Sequence, residues 1–443
     1  MDYLGQPLKR FEDARLLTGN GLFIDDIKLQ DMLYAVVVRS IHAHARIRSI
    51  DTSGAIRLAG VVDVLTGQDL KGVLSNIPIR EMGDRSVDEF NPPGHPVLAQ
   101  DKVCYVGQPV AVVVADDPYL ARDGAESVIV EYDVLTPVIV PEQAANLETP
   151  IIHADIGTNV AIRSIQEGGD IERAFTEADH VVRQRFQIQR LAPSSIEGRG
   201  VVADYNSSED FLTVWDSTQA PHQIKRYLAQ SLERAEETIR VASPDVGGSF
   251  GIKDCMFSED ILIPFLSLRL KRPVKWIEER QENLLTYHGR GMSLDLEAAV
   301  KSNGRLLGIK ASIVADIGAF FYFTTPFPLF NAARRITGPY DIPAVKAEIL
   351  GVITNKTPTA AYRGTGSPEA AYGIERTMDL IAKDLGLDPV EVRRRNYIPK
   401  DAFPYRSCTG NMYDSGDYDR VLDRALELVE YPSWRERVRQ RKP

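Results

Sequence analysis

The chain has 443 residues, and its 62 acidic and 52 basic side chains give a formal net charge of −10. A surface of this sign argues against nucleic acid or an anionic membrane as the main partner, because either would require a basic stripe. No apolar run approaches the ~18 residues of a membrane span, and the cysteines Cys104, Cys255 and Cys408 form no CxxC pair. We therefore expect a cytoplasmic protein of two or three domains, without a thiolate metal site made by this chain alone.

Residues 1–140 predict a first block of strands and helices. Buried strands are expected at 32–40 and 109–117, because both stretches are rich in β-branched residues and bounded by turn residues. Residues 118–133 begin as a helix and finish as a strand. The three prolines of LTPVIVPEQAANLETP then indicate a linker that closes the block.

Residues 141–400 predict a second block, and residues 401–443 a connector helix with a solvated basic tail. The elements expected in chain order are a helix capped by Asp170 and a following strand (168–186), a strand leading into a helix (211–234), a hairpin around Ser302-Asn303-Gly304 (293–320), and amphipathic helices at 366–386 and 418–431. Strands and helices are interspersed in both blocks. The predicted fold class is α+β.

Two glycine-rich segments carry the strongest local signal. DVGGSFGIKD (245–254) runs into residues 253–270, which look helical, and AYRGTGSPEA (361–370) offers Ser367 as an N-cap and Pro368 as the first helical residue. Each loop would then present free N–H groups at a helix start. That arrangement suits an anionic or hydrogen-bond-accepting ligand.

Side chains beside these loops add to the signal but do not complete a known nucleotide motif. Arg363 would supply a fixed charge and Phe250 an apolar wall. Glu369 stands where a dinucleotide loop has its third glycine, and no GxxxxGK[ST] sequence occurs. From these residues alone, ordinary turns remain an open alternative to a ligand site.

Taken in order, the motifs of the chain resemble those of the molybdenum-cofactor-binding large subunit of the xanthine dehydrogenase, aldehyde oxidase and aerobic carbon monoxide dehydrogenase family. The motifs are GQPLKRFEDARLLTGNGLFIDDI, ARIRSID, YVGQPVAVVVAD, VWDSTQAPH, VGGSFGIKD, GPYDIP, AYRGTGSPEA and SGDYDRVLDRALELVEY. The resemblance implies an α/β hammerhead domain over residues 1–140 and a first molybdopterin-binding domain over 141–400. The family's second molybdopterin-binding domain has no counterpart in this sequence.

The resemblance also implies which residues contact the cofactor. Gln219 in VWDSTQ matches the glutamine whose neutral amide faces an apical molybdenum ligand. Gly248, Phe250 and Gly251 match the GGxFG loop whose backbone approaches the metal centre. Arg363 matches the arginine of the A-[FY]-R-G loop, which lies against the cofactor.

Three further positions bear on the substrate. Asp254 falls where several relatives carry a substrate-facing glutamate, and a helix-start carboxylate stabilised by the helix dipole is an equally good interpretation. Thr365 replaces an aromatic residue of some members, which leaves a roomier or more polar pocket. Gly364 stands where the carbon-monoxide-oxidising branch has a copper-holding cysteine, which argues against that reaction.

The implied reaction is oxidative hydroxylation of an aldehyde or a nitrogen heterocycle, with water as the oxygen source. The implied cofactor is a molybdenum–pterin, in the cytosine dinucleotide form usual in bacterial relatives. Three scattered cysteines cannot hold iron–sulfur clusters, so we expect [2Fe–2S] and FAD on small and medium partner subunits, in a dimer of heteromers. The general-base glutamate is expected on a second-half subunit, because neither Glu197 nor Glu369 corresponds to it.

The missing half has two explanations, a split gene or a truncated chain, and we prefer the first because the sequence ends between domains. Two other functions remain open. A nicotinamide-dependent dehydrogenase would use the glycine loops, although the full fingerprint with a ribose-binding acid is lacking. A non-catalytic assembly subunit is the other, although intact Gln219, Phe250 and Arg363 argue against a decayed site.

Overall fold

A computed structural model describes residues 3–79, 87–146 and 148–441. Up to residue 146, short strands alternate with short helices. The strands are β1 (Leu33–Arg39), β2 (Ala45–Asp51), β3 (Val61–Thr66), β4 (Glu89–Phe90), β5 (Lys102–Val103), β6 (Pro109–Ala115) and β7 (Ile129–Val134). The helices are α1 (Asp13–Leu17), α2 (Ser53–Ile56), α3 (Gly67–Leu70), α4 (Pro118–Glu126) and α5 (Pro141–Ala144).

The rest of the chain contains longer elements. Its strands are β8 (Val160–Gly168), β9 (His180–Leu191), β10 (Gly200–Asn206), β11 (Phe211–Asp216), β12 (Ile239–Ala242), β13 (Val274–Ile277), β14 (Gly289–Val300), β15 (Leu306–Gly318), β16 (Ala344–Ile353), β17 (Tyr405–Arg406) and β18 (Met412–Tyr413). Its helices are α6 (Ile171–Thr176), α7 (Pro221–Ser231), α8 (Ser258–Leu270), α9 (Arg280–Thr286), α10 (Pro326–Arg334), α11 (Ser367–Asp384), α12 (Pro389–Asn396), α13 (Tyr418–Leu428) and α14 (Tyr431–Arg441). Short 3₁₀ turns occur at Ile24–Asp26, Glu236–Thr238 and Lys400–Ala402.

The larger sheet has seven strands in the order β12-β11-β10-β13-β1-β6-β3. It combines strands from both blocks of the sequence, since β1 pairs in parallel with β13 (Leu33↔Val274) and antiparallel with β6 (Val36↔Val113). The division that we expect at residue 140 stays a prediction, and this sheet crosses it.

A second sheet has six strands in the order β4-β8-β16-β15-β14-β9. Its strands β14 and β15 form the hairpin that the sequence predicts, with Gly304 at φ +85° in the turn. Smaller sheets, β5-β2-β7 and β17-β18, complete the strand pairing. Each large sheet has its own apolar core: α8 packs on the seven-stranded sheet through Ile261 and Leu266, and α11 on the six-stranded sheet through Ile374 and Met378.

A buried ion network joins the two blocks beneath α8. Arg39 on β1 contacts Glu259 at 2.6 Å and Glu282 at 2.8 Å, and Arg199 contacts Glu278 at 2.7 Å. Burial alone would raise the pKa of Glu259, but Arg199 and Arg39 hold it at about 2. Removing one member would leave an unpaired buried charge, which costs about 3–5 kcal/mol. The network therefore ties β1 to α8.

Most locally encoded elements occur where the sequence predicts them. The helix-to-strand change after residue 118 is seen in α4 and β7, and Asp170 caps α6 by accepting the N–H of Arg173 at 3.0 Å. The basic end of the chain is helical in α14, and its residues 436–440 are exposed, as expected of a solvated tail. Within the described ranges, every helix is too short or too polar to span a lipid bilayer.

Two helix starts differ from the prediction. We expect a helix from residue 253, but α8 begins at Ser258, where the Asp260 carboxylate accepts the N–H of Phe257 at 2.7 Å. The chain is turned before that point because Lys253 is drawn into the interior. Helix α11 has Gly366 rather than Ser367 at its N-cap, and the Ser367 hydroxyl accepts a hydrogen bond from Arg335 instead.

Candidate functional site

Three connections meet where the two large sheets adjoin. Strands β11 and β12 are parallel neighbours (Leu212↔Ile239), so their C-terminal ends lie at the same edge of the seven-stranded sheet. Gln219 follows β11, and loop 1 (residues 245–254) follows β12. Loop 2 (residues 361–370) reaches the same place from the other sheet, between β16 and α11.

Gln219 is bound to loop 1 through both its backbone and its side chain. Its N–H donates to the carbonyl of Lys253 at 3.0 Å, and its Oε1 accepts a hydrogen bond from the Ser249 hydroxyl. Burial raises the pKa of Asp254, and a hydrogen bond from the Gln219 side chain partly opposes this shift. The Ser249 hydroxyl thus holds the Gln219 carboxamide, while the residue stays exposed.

Loops 1 and 2 are in direct contact. The N–H of Arg363 donates to the carbonyl of Phe250 at 2.9 Å, and its guanidinium lies 5.5 Å from the centroid of the Phe250 ring. A Cβ on Gly251 would lie 2.0 Å from the carbonyl oxygen of Ala361, so only glycine permits this approach. The hydroxyl of Tyr287 donates to the carbonyl of Gly251 at 3.2 Å and also contacts the carbonyl of Ala361, so it bridges the two loops.

The loop backbones adopt conformations that most side chains avoid. Phe250 has φ +55° and Thr365 φ +45°, although neither is glycine. Such residues cost about 1–3 kcal/mol each and are concentrated at functional sites. Within the described part of the chain, no residue accepts a hydrogen bond from the N–H groups of residues 248–251. Loop 1 therefore presents four consecutive unused donors.

Two buried ion pairs support the loops from below, and the sequence reasoning missed both. Lys253 Nζ lies 2.6 Å from Glu197 Oε2 beneath loop 1. Under loop 2, Arg290 lies 2.9 Å from Glu369 and also donates to the carbonyl of Arg363 at 2.8 Å. Both glutamates are committed to cations, so neither is a free base.

Comparisons with known proteins give the family. Residues 152–397 match the description "Molybdopterin cofactor-binding domain", and residues 18–136 match "Aldehyde oxidase and xanthine dehydrogenase, a/b hammerhead domain". The chain belongs to the molybdenum hydroxylase family of xanthine dehydrogenase and aldehyde oxidase. Its α+β fold therefore consists of a hammerhead domain and a molybdopterin-binding domain.

Individual relatives show how much of a large subunit the chain represents. It is 37% identical to the carbon monoxide dehydrogenase large chain of Hydrogenophaga pseudoflava, covering 96% of this chain and 54% of that protein. It is similar to the quinoline 2-oxidoreductase structure from Pseudomonas putida 86, with 35% identity and a TM-score of 0.93, covering 98% of this chain and 55% of that one. The nicotinate dehydrogenase large molybdopterin subunit of Eubacterium barkeri is 30% identical and is covered over 98% of both chains. The chain thus spans about half the length of the first two relatives and nearly all of the third.

The residues at the junction suit the cofactor that molybdenum hydroxylases hold. Four free N–H groups, the Gln219 amide and an exposed guanidinium at Arg363 are donors for a group rich in oxygen and nitrogen acceptors. Among the described residues, no group of three or more His, Cys, Asp or Glu side chains is placed to hold a metal ion. The described residues of the junction therefore provide hydrogen-bond donors, and no such cluster of metal-ligating side chains.

The geometry corrects two interpretations of loop 1. Because α8 begins at Ser258, the loop does not lie at a helix N-terminus, and Asp254 is not a helix-start carboxylate. The nicotinamide alternative loses the support of loop 1 for the same reason, since the pyrophosphate of a dinucleotide binds at such a terminus, whereas loop 2 does lead into α11. The structure brings Gln219, Gly248, Phe250, Gly251 and Arg363 together, with Asp254 in loop 1 and Thr365 in loop 2. Their roles toward cofactor and substrate stay predictions.

Proposed function

We propose that this chain supplies one half of the cofactor and substrate pocket of a molybdenum hydroxylase complex. The convergence of Gln219 with loops 1 and 2 on one exposed face carries the proposal. When bound there, a molybdenum–pterin cofactor supplies the oxidative hydroxylation chemistry of the site, with water as the oxygen source. We propose the cytosine dinucleotide form of the pterin.

Each residue of the junction has a binding role in this proposal. The Gln219 amide donates to an acceptor of the cofactor, with its orientation fixed by the Ser249 hydroxyl. The N–H groups of loop 1 donate from beside it, and Arg363 contributes a permanent positive charge. Phe250 forms an apolar wall at the rim, where it is exposed. Asp254 and Thr365 face the space left for the substrate.

A nitrogen heterocycle is the substrate class that we favour, with an aldehyde as the other candidate. The quinoline and nicotinate relatives carry the names of such compounds, and a heteroaromatic ring suits the apolar Phe250 wall. Carbon monoxide oxidation is disfavoured because Gly364 stands where that branch has cysteine. The general base for the hydroxylation would be supplied by a second-half subunit.

The proposed assembly contains that second-half subunit, an iron–sulfur subunit and an FAD subunit, arranged as a dimer of heteromers. The second-half subunit is supported by the relatives of which this chain covers only about half the length. The cytoplasm is the proposed location, supported by three cysteines that are all free thiols.

The test is metal and pterin analysis of the complex purified with its natural partners. We expect about one molybdenum and one pterin per chain of this type, with hydroxylation of N-heterocycles. A fully assembled complex without molybdenum or pterin would reject the proposal and favour an assembly subunit. A reduced nicotinamide product, without metal, would favour a dehydrogenase.

Gln219→Ala tests the residue that carries the assignment. We expect the fold to be retained, because the side chain is exposed, while turnover by the reconstituted complex falls by about tenfold or more, the equivalent of one hydrogen bond to a charged group. Gln230→Ala on the exposed face of α7 is the matched control. Equal turnover in the two variants would remove Gln219 from the site.

A further inference from the structure

Glu197 is the meeting point of four chain segments beneath loop 1. Its Oε2 accepts hydrogen bonds from the Ser217 hydroxyl at 2.7 Å, the Gly247 N–H at 2.7 Å and Lys253 Nζ at 2.6 Å. Its Oε1 accepts the N–H of Ile24 at 3.3 Å. The carboxylate therefore binds the end of β11, both sides of loop 1 and the N-terminal segment.

Lys253 links this carboxylate to the residue at the centre of the site. Its side chain is fully buried, and Glu197 is its ion-pair partner. Its own carbonyl accepts the N–H of Gln219 at 3.0 Å and the hydroxyl of Thr218 at 3.0 Å. One residue thus joins the buried carboxylate through its side chain and the Gln219 segment through its backbone.

The approach of loop 1 to Glu197 is as close as the backbone allows. A Cβ on Gly247 would lie 2.4 Å from the Cβ of Glu197. Burial raises the pKa of Glu197, but Lys253, Ser217 and the Gly247 N–H together hold it below its ordinary value, so the carboxylate stays charged at neutral pH. A buried ion pair contributes little net stability, because desolvation offsets its attraction. The consequence of the Glu197–Lys253 pair here is that it fixes the position of loop 1.

We propose that Glu197 and Lys253 are positioning residues, whose buried ion pair fixes loop 1 against the strand end that carries Gln219. The inference deepens the proposed function, on which its significance for the cofactor rests. Glu197 acts through Gly247 and Ser217, and Lys253 through its carbonyl. Neither group needs to touch the cofactor.

Loop 2 has an ion pair of its own, which makes a reciprocal control. Arg290 is bound to Glu369 and holds loop 2 through the Arg363 carbonyl. Of the contacts described, none joins this pair to Glu197 or Lys253. A change to one pair should therefore loosen mainly the loop that it supports, since the loops touch each other through Arg363 and Phe250.

Hydrogen–deuterium exchange of the full chain measures this directly. We expect Glu197→Gln to raise amide exchange about 10- to 100-fold at residues 217–220 and at the hydrogen-bonded N–H groups of Gly247, Ile252 and Lys253, because hydrogen bonds to a charged group are lost there. Exchange in loop 2 should change much less. Glu369→Gln should give the opposite pattern, with the larger rise in loop 2. Ser217→Ala leaves no unpaired charge and should give a smaller rise at 217–220, Gly247, Ile252 and Lys253.

A double variant separates positioning from simple stability. Adding Lys253→Met to Glu197→Gln removes the unpaired buried cation, so the thermal midpoint should recover while exchange in loop 1 stays raised. If the double variant recovered both the thermal midpoint and the wild-type exchange in loop 1, the inference would be overturned. A uniform rise of amide exchange over the whole chain in Glu197→Gln and Ser217→Ala would also overturn it. Because exchange is measured without cofactor, this result is independent of the molybdenum analysis that tests the proposed function.

Discussion

The contact between loops 1 and 2 is best tested by Gly251→Ala. The added Cβ would lie 2.0 Å from the Ala361 carbonyl oxygen and 2.8 Å from its carbon, both rigid backbone atoms. Ordinary carbon–oxygen contacts lie at about 3.3–3.6 Å. The loops must therefore separate by more than about 1 Å. Gly251 also has φ +114°, which an alanine adopts only with strain.

The expected cost follows from what that separation breaks. Backbone strain contributes about 1–3 kcal/mol. The Arg363 N–H to Phe250 bond and the shared Tyr287 hydroxyl contribute about 1 kcal/mol each. The total is about 3–5 kcal/mol, which is a large part of the stability of an ordinary domain.

The assay is thermal unfolding of the full chain together with hydrogen exchange at residues 247–253 and 361–367, since a chain of this size need not unfold in one step. Gly410→Ala is the control: it shares a positive φ, +83°, but a Cβ there meets nothing within 4 Å. Gly410→Ala should be destabilised only by the backbone strain of its positive φ, which costs about 1–2 kcal/mol. Equal effects of the two substitutions, with loop exchange unchanged, would refute the contact.

Two further predictions concern charge at the site. Arg363→Ala should change the unfolding free energy by less than about 0.5 kcal/mol, because the side chain is exposed. It should nevertheless lower the amount of molybdenum that the purified complex retains. Equal molybdenum retention in Arg363→Ala and in the exposed control Arg226→Ala would contradict the assignment. Asp216, at the end of β11, is buried with Oδ2 unpartnered among the described residues, and burial raises its pKa well above the ordinary value. The folded state then binds the extra proton, so the contribution of Asp216 to the unfolding free energy falls as pH rises above about 4. Carboxylates with a lowered pKa, such as Glu259, are present in both proteins, so the advantage of Asp216→Asn over the wild type should grow with pH. A difference independent of pH would show that Asp216 does not titrate in this way.

Elements encoded by neighbouring residues could be predicted from the sequence. The Asp170 cap and the turn at Gly304 depend on side chains within a few positions, and both occur as expected. The start of α8 could not be predicted this way. Lys253 leaves the helical path because its ammonium group reaches Glu197, which lies 56 residues away along the chain.

The candidate site likewise combines residues that the sequence indicates with residues that only the structure reveals. Family motifs brought Gln219 and the residues of loops 1 and 2 to attention, and the structure places them side by side. The residues that hold them there, Tyr287 and the two ion pairs, escaped because each acts across a long sequence separation. Composition and spacing describe a single segment, and these contacts belong to pairs of segments.

The position of β1 in the middle of the seven-stranded sheet also constrains biosynthesis. One edge of β1 can pair with β6 early, but the other waits for β13, which ends at Ile277. A nascent chain emerging from the ribosome would therefore carry an open, apolar strand edge until Val274–Ile277 has been made, which invites association with other chains. For the same reason the hammerhead is not a detachable module: expressed alone it would leave one side of Leu33–Arg39 uncovered, and a molybdopterin domain lacking it would expose Val274–Ile277.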